Sequence, residues 1–419
     1  MPQQQPGELP SHTAAAPWVA ALGATVLIQV VASLALAALP TIGPLIMRDA
    51  GLPAETIGQV YSFGLLGTVL FLAFGTPILA RLGPVRTLQL GTLVAALGTA
   101  ALATAGVLPV ALLTGALLVG FGSGPNVPAG THILARTAPP AHRTLVISAR
   151  QAGAPLGGML AGVAVPPLAA ALGWRAALLL VAGALVASAL AVQPLRPALD
   201  VDRDPSRAVG LRALIAPANL TAPFAALGLH PLLIPLVVLC FSLSVLMGTL
   251  SALTVSFLVE ARGLALAEAG AAFAAMQAAG FAGRLALGWL ADRTGTATRD
   301  LLVQSFAASA SIVMLVLLPA GSPPTLFLLL SGVVGFAALS WPGILNAEVA
   351  RFAPPDRVAE ATMGTVLVGF AGLVGGAAAC SAVVWATGGW TIPLLAVAGQ
   401  AAVFAVVLAP RLRAAWARS

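Results

Sequence analysis

Two arginines, Arg150 and Arg284, stand inside long apolar segments of this 419-residue sequence. A guanidinium stays charged at any physiological pH, and its planar fork binds a carboxylate through two hydrogen bonds. One arginine at the centre of a membrane helix costs roughly 2.5–3.5 kcal/mol, so two of them need a reason. No Asp or Glu lies in the middle of an apolar segment to neutralise them. We therefore expect Arg284 and Arg150 to bind an anion.

Each arginine also has a structural alternative. A buried arginine either donates to backbone carbonyls at a helix break or extends its charged head to the membrane surface while its stem stays in apolar surroundings. Arg150 is nearer to the first role, because Pro155 lacks an N–H and frees a backbone carbonyl in its vicinity. The sequence leaves these roles open beside anion binding.

Polar residues accompany the arginines in the first and fourth apolar segments. Thr25, Gln29 and Ser33 are spaced four residues apart, which places them on one stripe of a helix. Asn126 lies between two prolines, where an unwound turn would expose its amide and free carbonyls. We predict that Gln29 and Asn126 bind substrate, and helix packing through small polar residues is the alternative for the stripe.

The composition places the chain in a bilayer. Hydrophobic residues make up 59% of it and charged residues 8%, against about a quarter charged in an ordinary soluble domain. At a mean hydropathy of +1.00 there is too little polar surface to coat a soluble particle. This excludes a secreted domain, a cytosolic enzyme and a disordered chain. Cys240 and Cys380 show no spacing for disulfides or a metal site, and no cofactor is expected.

Twelve apolar runs are long enough to cross a hydrocarbon core of about 30 Å as helices. They are continuously apolar rather than alternating, which favours a helix bundle over a β-barrel. The fold class is therefore an all-α membrane protein with twelve transmembrane helices. The predicted spans are 17–39, 57–80, 87–106, 109–135, 144–168, 174–193, 231–258, 267–291, 301–319, 325–349, 358–386 and 390–409.

The placement of arginines predicts the orientation. The sequence has no Lys; with the N-terminus inside, fifteen arginines fall in inner loops and tails and three, Arg48, Arg175 and Arg262, in outer loops. Cytoplasmic loops carry the excess of basic residues, so both termini are predicted to be cytoplasmic in a multi-pass protein of the inner (plasma) membrane. The predicted domains are a cytoplasmic tail at 1–16, a six-helix half at 17–193, a cytoplasmic linker at 194–230, a second six-helix half at 231–409 and a cytoplasmic tail at 410–419. Within the linker, Pro223 is expected to break any surface helix.

The two halves carry an internal repeat. Val119-Gly120-Phe121 recurs as Val334-Gly335-Phe336, and Gly173-Trp174 recurs as Gly389-Trp390, at offsets of 215 and 216 residues. A duplicated six-helix unit is the expected plan of an alternating-access carrier, whose halves rock about a site at their interface.

The repeat extends the predicted site to the second half. An offset of 215 residues maps Gln29 onto Ser244 and Asn126 onto Trp341. We predict that Ser244 and Trp341 also bind substrate, with helix packing as the alternative for Ser244. Tyr61, near the outer end of the second span, is expected in the interfacial aromatic belt rather than over the cavity.

The loop after the eighth span carries a motif with a family resemblance. Residues Gly288-Trp289-Leu290-Ala291-Asp292-Arg293-Thr294-Gly295 resemble the G-x-L-a-D-R-x-G signature of the major facilitator superfamily. The resemblance implies the major facilitator fold, with two pseudo-symmetric six-helix halves. The first-half copy, Ile78-Leu79-Ala80-Arg81-Leu82-Gly83, keeps the Arg and the Gly but has Ala80 where the Asp belongs.

Two finer features extend this resemblance. Gly283-Arg284, with Gly288 four residues later, is similar to the eighth span of monocarboxylate carriers and oxalate:formate exchangers, which implies that Arg284 binds a substrate carboxylate. A further set of charged residues resembles the charge network at the cytoplasmic face of the superfamily and is expected to latch the inner side in the outward-open state. These gating residues are Asp292, Arg293, Glu348, Arg351 and Arg136.

Together these features favour a secondary active transporter that moves a small organic anion, a carboxylate, by alternating access. The chain has no Lys and hence no Walker A loop for ATP. The alternative is a proton-coupled exporter of amphipathic drugs or other small molecules, although such exporters usually keep an acidic residue inside the membrane. An enzyme is not expected, because the four His are scattered. The expected partners are the organic anion and the lipid bilayer, without nucleic acid, and the expected oligomeric state is a monomer.

Overall fold

A computed structural model describes residues 17–104, 108–139, 146, 149–201, 203–206, 218–294, 297–354 and 356–416. Regular structure within these ranges is helical. Residues 17–193, here called the first half, contain α1 (Pro17–Thr41), α2 (Gly43–Asp49), α3 (Ile57–Phe74), α4 (Thr76–Leu82), α5 (Pro84–Thr104), α6 (Pro109–Ser123), α7 (Asn126–Thr137), α8 (Gly153–Leu172) and α9 (Trp174–Ala191). Two short helices follow, α10 (Arg196–Leu199) and α11 (Ala218–Leu227). The residues from 231 onward, here called the second half, contain α12 (Leu233–Glu260), α13 (Leu266–Thr294), α14 (Ala297–Leu317), α15 (Pro324–Ala338), α16 (Pro342–Phe352), α17 (Val358–Thr387) and α18 (Thr391–Trp416).

Eleven helices in the described part of the chain are long and apolar enough to cross a membrane, and each coincides with a predicted span. The predicted eighth span, α13, is a helix of 29 residues that is not among the eleven. Gln277 and Arg284 lower the hydropathy of this helix, whose apolar residues are mostly small.

Two of the spans are broken in the middle. α6 and α7 are separated at Gly124 and Pro125, directly before Asn126. α15 and α16 are separated before Pro342, and Trp341 is the N-cap residue of α16. Since proline has no N–H to donate, each break leaves backbone carbonyls without an intrahelical partner. The unwound turn predicted beside Asn126 is present, but the predicted exposure of the Asn126 amide is wrong, because this residue is 5% exposed and packs inside the bundle. The repeat counterpart of the turn lies at Trp341.

Glycines set the packing around α8, which contacts α1 of its own half and α13 of the other. A Cβ placed on Gly157 would lie 2.7 Å from the Cβ of Ser33 in α1. A Cβ on Gly162 would lie 2.5 Å from the carbonyl oxygen of Gly270 in α13. Small residues at this spacing let helix backbones approach closely, so α8 is held against one helix of each half.

The halves also meet at the end of the bundle where α1 connects to α3, here called the closed face. The Ser381 hydroxyl of α17 donates to the carbonyl of Glu55 at 2.6 Å. The Ser62 hydroxyl of α3 donates to the carbonyl of Val374 in α17 at 3.0 Å. A Cβ placed on Gly58 would lie 2.9 Å from the Cβ of Ser381. The opposite end, here called the Arg-rich face, carries Arg81, Arg136, Arg293 and Arg351 near the ends of their helices.

Tyr61 is buried within the bundle beside the closed face. It is 8% exposed, and Ser251 of α12 is its side-chain partner. Its expected place in the interfacial aromatic belt is therefore wrong. The physical reason is that this side of α3 packs against the second half instead of facing lipid.

The segment after α9 packs on the two halves in turn. The N–H of Asp204 donates to the carbonyl of Ala80 in α4 at 2.9 Å. α11 packs against α17, where a Cβ on Gly364 would lie 2.5 Å from the carbonyl oxygen of Pro223. The expected break at Pro223 is wrong, because α11 continues through this residue and packing against α17 outweighs the missing hydrogen bond.

Candidate functional site

Arg150 lies at the centre of a polar cluster in the first half. Its side chain is 1% exposed, and Nη1 donates to the backbone carbonyl of Asn126 at 2.8 Å and to Oε1 of Gln29 at 3.2 Å. Gln29 in turn donates from Nε2 to the Ser33 hydroxyl at 3.1 Å. Gly130 gives the guanidinium its room, since a Cβ there would lie 2.7 Å from Nη1. Three of the predicted binding residues are thus brought together.

The hydrogen-bond partners of the charged Arg150 side chain are neutral groups. Among the described residues it forms no ion pair, and its Nε is buried without a hydrogen-bond partner. Carbonyl and amide dipoles compensate a buried cation less fully than a carboxylate does. A residual positive field therefore remains for an anion.

Arg284 makes a similar contact at the helix break of the second half. Its Nε donates to the backbone carbonyl of Leu339 at 3.0 Å, and its side chain is partly buried. Trp341, two residues further, is 5% exposed, and its indole N–H has no hydrogen-bond partner. Within the residues that the structure describes, Arg284 also has no acidic partner. Both arginines thus donate to a carbonyl beside a helix break, and both keep an uncompensated charge.

The register of α8 against α13 places the two arginines at one level. Gly158 of α8 lies against Gln277 of α13, where a Cβ on the glycine would be 2.9 Å from the amide carbon. The helices run antiparallel, because Gly162, later in α8, meets Gly270, earlier in α13. Arg150 precedes Gly158 by eight residues and Arg284 follows Gln277 by seven, so at 1.5 Å per residue both lie roughly 10–12 Å from this contact toward the Arg-rich face. One arginine from each half therefore reaches the same depth.

Ser244 lies apart from these contacts. It is buried between α12 and α17, with its hydroxyl 4.0 Å from the Cys240 sulfur. A Cβ on Gly372 would lie 2.8 Å from the Ser244 Cβ. No hydrogen bond in the described part of the chain joins Ser244 to either arginine, and its surroundings are those of a helix contact.

Two of the predicted gating residues form an ion pair at the Arg-rich face. Glu348 is 4% exposed, lies 3.5 Å from Arg351, and accepts a hydrogen bond from the Thr298 hydroxyl. These contacts tie α16 to the start of α14. The pair lies within the second half.

The other gating residues have separate surroundings. Arg136, near the end of α7, donates from Nη2 to the carbonyl of Leu199 in α10 at 3.0 Å. The Arg293 guanidinium lies 4.3 Å from the centre of the Trp289 ring. The side chain of Asp292 lies outside the described residues.

Asp200 forms an acidic cap that the motif positions did not predict. Its carboxylate accepts from the N–H of Val85 at 2.6 Å and of Arg86 at 3.2 Å, at the start of α5. The Arg86 side chain lies 3.9 Å away. Burial raises the pKa of Asp200, although these hydrogen bonds and the Arg86 charge act in the opposite direction. The loop that has Ala80 in place of the motif Asp thus receives an acid from further along the chain.

Sequence reasoning missed Gln277, which is 8% exposed and packs across the interface between the halves. A signal for it existed. Gln277 precedes Arg284 by seven residues, just short of two helical turns, so both lie on one face of α13.

Comparison with known proteins identifies the fold and the family. The family model described as the Major Facilitator Superfamily matches residues 25–379. A search of curated proteins finds no match. Three solved structures align along nearly the whole chain, at identities that show the fold alone. A peptide transporter POT in complex with sulfate is 16% identical, with a TM-score of 0.72 and 94% of each chain covered.

The other two are similarly distant. A POT family transporter in complex with 5-aminolevulinic acid is 12% identical, with a TM-score of 0.75, over 93% of this chain and 96% of that chain. A bacterial homologue of the human lysosomal transporter Spinster, in an inward-facing and unoccupied conformation, is 18% identical, with a TM-score of 0.70, over 95% and 97%. Because the family model covers most of its length, the chain belongs to the Major Facilitator Superfamily and is a membrane transporter rather than an enzyme.

Proposed function

We propose that the protein is a secondary active transporter that carries a small organic anion, a carboxylate, by alternating access. One observation carries the proposal. Arg150 and Arg284 come from different halves, lie at one level of the α8–α13 pair, and have backbone carbonyls or an amide where a carboxylate partner would be expected. A substrate carboxylate would supply the missing charge through paired hydrogen bonds.

Substrate contacts other than the arginines follow from the same geometry. Gln29 and the Asn126 backbone hold the Arg150 guanidinium, and Trp341 offers an unused indole N–H near the Arg284 contact. A buried donor without a partner is costly, and a bound anion removes that cost. We assign Ser244 to the helix contact with α17, the packing alternative, rather than to the substrate site.

The proposed topology completes the membrane bundle. We assign α13 as a membrane span, the eighth in chain order, which brings the total to twelve and makes two six-helix halves with both termini at the Arg-rich face. That face is cytoplasmic by the excess of arginine, in an inner (plasma) membrane. The working unit is a monomer, because the two arginines of the site belong to one chain.

The proposed gate lies at the Arg-rich face. When the closed face opens, the inner ends of the halves approach, and a charge network holds them together. The members of this network are Asp292, Arg293, Glu348, Arg351 and Arg136. The Glu348–Arg351 pair is formed within the second half, and a contact with Arg136 of the first half would complete the network.

Binding and transport by purified protein test this proposal. Thermal-shift measurements in detergent would use small mono- and dicarboxylates, inorganic anions, neutral sugars and lipophilic cations, because a ligand of the folded state raises its melting temperature. Uptake of the stabilising anion into liposomes would then be compared for the native chain, Arg284→Lys and Arg150→Lys. Arg175→Lys is the matched control, since Arg175 is exposed and pairs with Asp49 at the closed face.

A carboxylate should stabilise the native protein, and each of the two lysine variants should lower uptake at least about tenfold, equivalent to ~1.4 kcal/mol. Lysine keeps the charge but not the planar fork. The Arg175 variant should transport normally. Stabilisation by lipophilic cations, unchanged in Arg284→Lys, would contradict the proposal and favour a drug exporter.

A further inference from the structure

We propose that Gln277 determines the specificity of this site by recognising a neutral hydrogen-bonding group on the substrate. The substrate class is then a short carboxylate that bears a hydroxyl or oxo substituent. This inference rests on the proposed function, in which the arginines hold the carboxylate.

The first support is position along α13. Gln277 and Arg284 share one face of this helix and are separated by about 10 Å along its axis. Gln277 lies on the side of Arg284 that leads toward the closed face. A ligand held at the arginine level therefore meets Gln277 with the end that points away from the Arg-rich face.

The second support is the contact between the halves. A Cβ on Gly158 would lie 2.9 Å from the Gln277 amide carbon and 3.1 Å from its nitrogen, so the amide lies directly on α8. The neighbouring Gly157 has the same close relation to Ser33 of α1. Ser33 and Gln277 thus bring polar groups from both halves to adjacent positions of α8, next to the chain of contacts from Ser33 through Gln29 to Arg150.

The third support is the state of the amide. Gln277 is 8% exposed, and its amide forms no hydrogen bond within the described part of the chain without being among the fully buried, unpaired polar atoms there. The amide therefore keeps access and free hydrogen-bonding capacity, and a substrate hydroxyl or oxo group would supply the partner. An aliphatic acid of the same length would leave it unpaired. Sites with such polar groups reject analogues that lack the partner group.

The competing role for Gln277 is structural, as a side chain that only packs α13 against α8 between the halves. In that role the amide would only contact α8 and would affect all ligands equally. Matched pairs of acids separate the two roles, because the members of each pair differ by one hydroxyl. The pairs are lactate with propionate and glycolate with acetate.

The experiment measures dissociation constants of these four acids by calorimetry on the purified full chain in detergent. The variants are Gln277→Met, which keeps an unbranched side chain without the amide, and Arg284→Ala. Gln400→Met is the matched control, because Gln400 of α18 uses its amide on Ser242 of α12 in a helix contact. Should Gln277→Met fail to fold, Gln277→Asn draws the same amide back by one carbon.

The native protein is expected to bind each hydroxy acid about tenfold or more tightly than its partner. Gln277→Met, or Gln277→Asn in its place, should bring this ratio close to one, with the affinity for propionate within about twofold of native. Gln400→Met should keep the native ratio of dissociation constants, and Arg284→Ala should bind none of the four acids.

Two results would overturn the role of Gln277 while the anion site stands. One is a native ratio of one within both pairs; the other is an equal loss of both members of a pair in Gln277→Met. If none of the four acids binds to the native protein, the specificity and the proposed carboxylate site both fail. If the acids still bind to Arg284→Ala, only the assignment of Arg284 to the carboxylate site fails.

Discussion

The hydroxyl of Ser381 in α17 donates a 2.6 Å hydrogen bond to the backbone carbonyl of Glu55, and this bond joins the two halves across the closed face. The neighbouring Gly58 lets the two segments approach, because a Cβ there would lie 2.9 Å from the Cβ of Ser381. Opening of this face requires that contact to separate. The glycine therefore controls how stable the closed arrangement is.

Replacement of Gly58 by Val should shift the protein toward the state that is open at this face. The added side chain overlaps Ser381 and leaves no room for the hydrogen bond to Glu55. Distances between nitroxide labels at Arg48→Cys and Ala267→Cys, with the native cysteines replaced, should lengthen. Gly183→Val is the control, since nothing lies within 4 Å of a Cβ at Gly183. An unchanged distance distribution in Gly58→Val would contradict this role.

Replacement of Gly130 by Ala should impair transport through Arg150. The new methyl group would lie 2.7 Å from Nη1 and displace the guanidinium from Gln29 and the Asn126 carbonyl. We expect uptake to fall about tenfold, which corresponds to ~1.4 kcal/mol.

The melting temperature of the same variant should fall only modestly, because the new methyl group meets the far end of the long Arg150 side chain and no backbone atom of a neighbouring helix. Gly343→Ala on α16 is the matched control, as a Cβ there meets nothing within 4 Å. Native uptake in Gly130→Ala would show that the position of Arg150 is not important for transport.

The Asp200 cap should make stability depend on pH in an unusual direction for a carboxylate. Burial raises its pKa in the folded protein above the ordinary value of 3.8, so between these two values the folded state binds more protons than the unfolded state. This contribution to stability is present at low pH and is lost as the pH rises from about 4 through the folded pKa.

Asp200→Asn removes the titration and keeps the side-chain shape. The native melting temperature should fall relative to that of Asp200→Asn across the acidic range and run parallel to it at neutral pH. Thermal melts in detergent between about pH 4 and pH 8 measure the difference. A difference that widens in favour of the native chain as pH rises would mean that the hydrogen bonds from Val85 and Arg86 outweigh burial.

Gly120→Ala should destabilise the first half. A Cβ on Gly120 would overlap the carbonyl oxygen of Gly64, so α6 and α3 must move apart. Overpacking of this kind costs typically 1–3 kcal/mol, which a thermal melt resolves. Gly183→Ala on α9 should melt at or slightly above the native temperature, since alanine favours helix and the site is open. Equal melting of the two variants would contradict close packing at Gly120.

The sequence predicted the parts of the site that depend on local pattern. The prolines around Asn126 predicted the helix break at that residue, and hydropathy predicted the eleven spans found in the described residues. The contact of Gln277 with Gly158 was not predictable in this way, because it depends on which faces of α8 and α13 meet. The polar residues predicted for the site also lie in different places, because their positions depend on which helix faces meet. Gln29 reaches Arg150, whereas its repeat counterpart Ser244 packs on α17.

The cap on α5 has a consequence for dividing the protein into two fragments. Asp200 and Asp204 follow the last long helix of the first half, yet they bond to Val85, Arg86 and Ala80 within it. A cut after residue 193 would strip the first fragment of its own helix cap. A cut after residue 206 keeps the cap with the first fragment and leaves α11, which packs on α17, with the second. Co-expressed pieces divided at the later position are the ones that should reassemble into a working carrier.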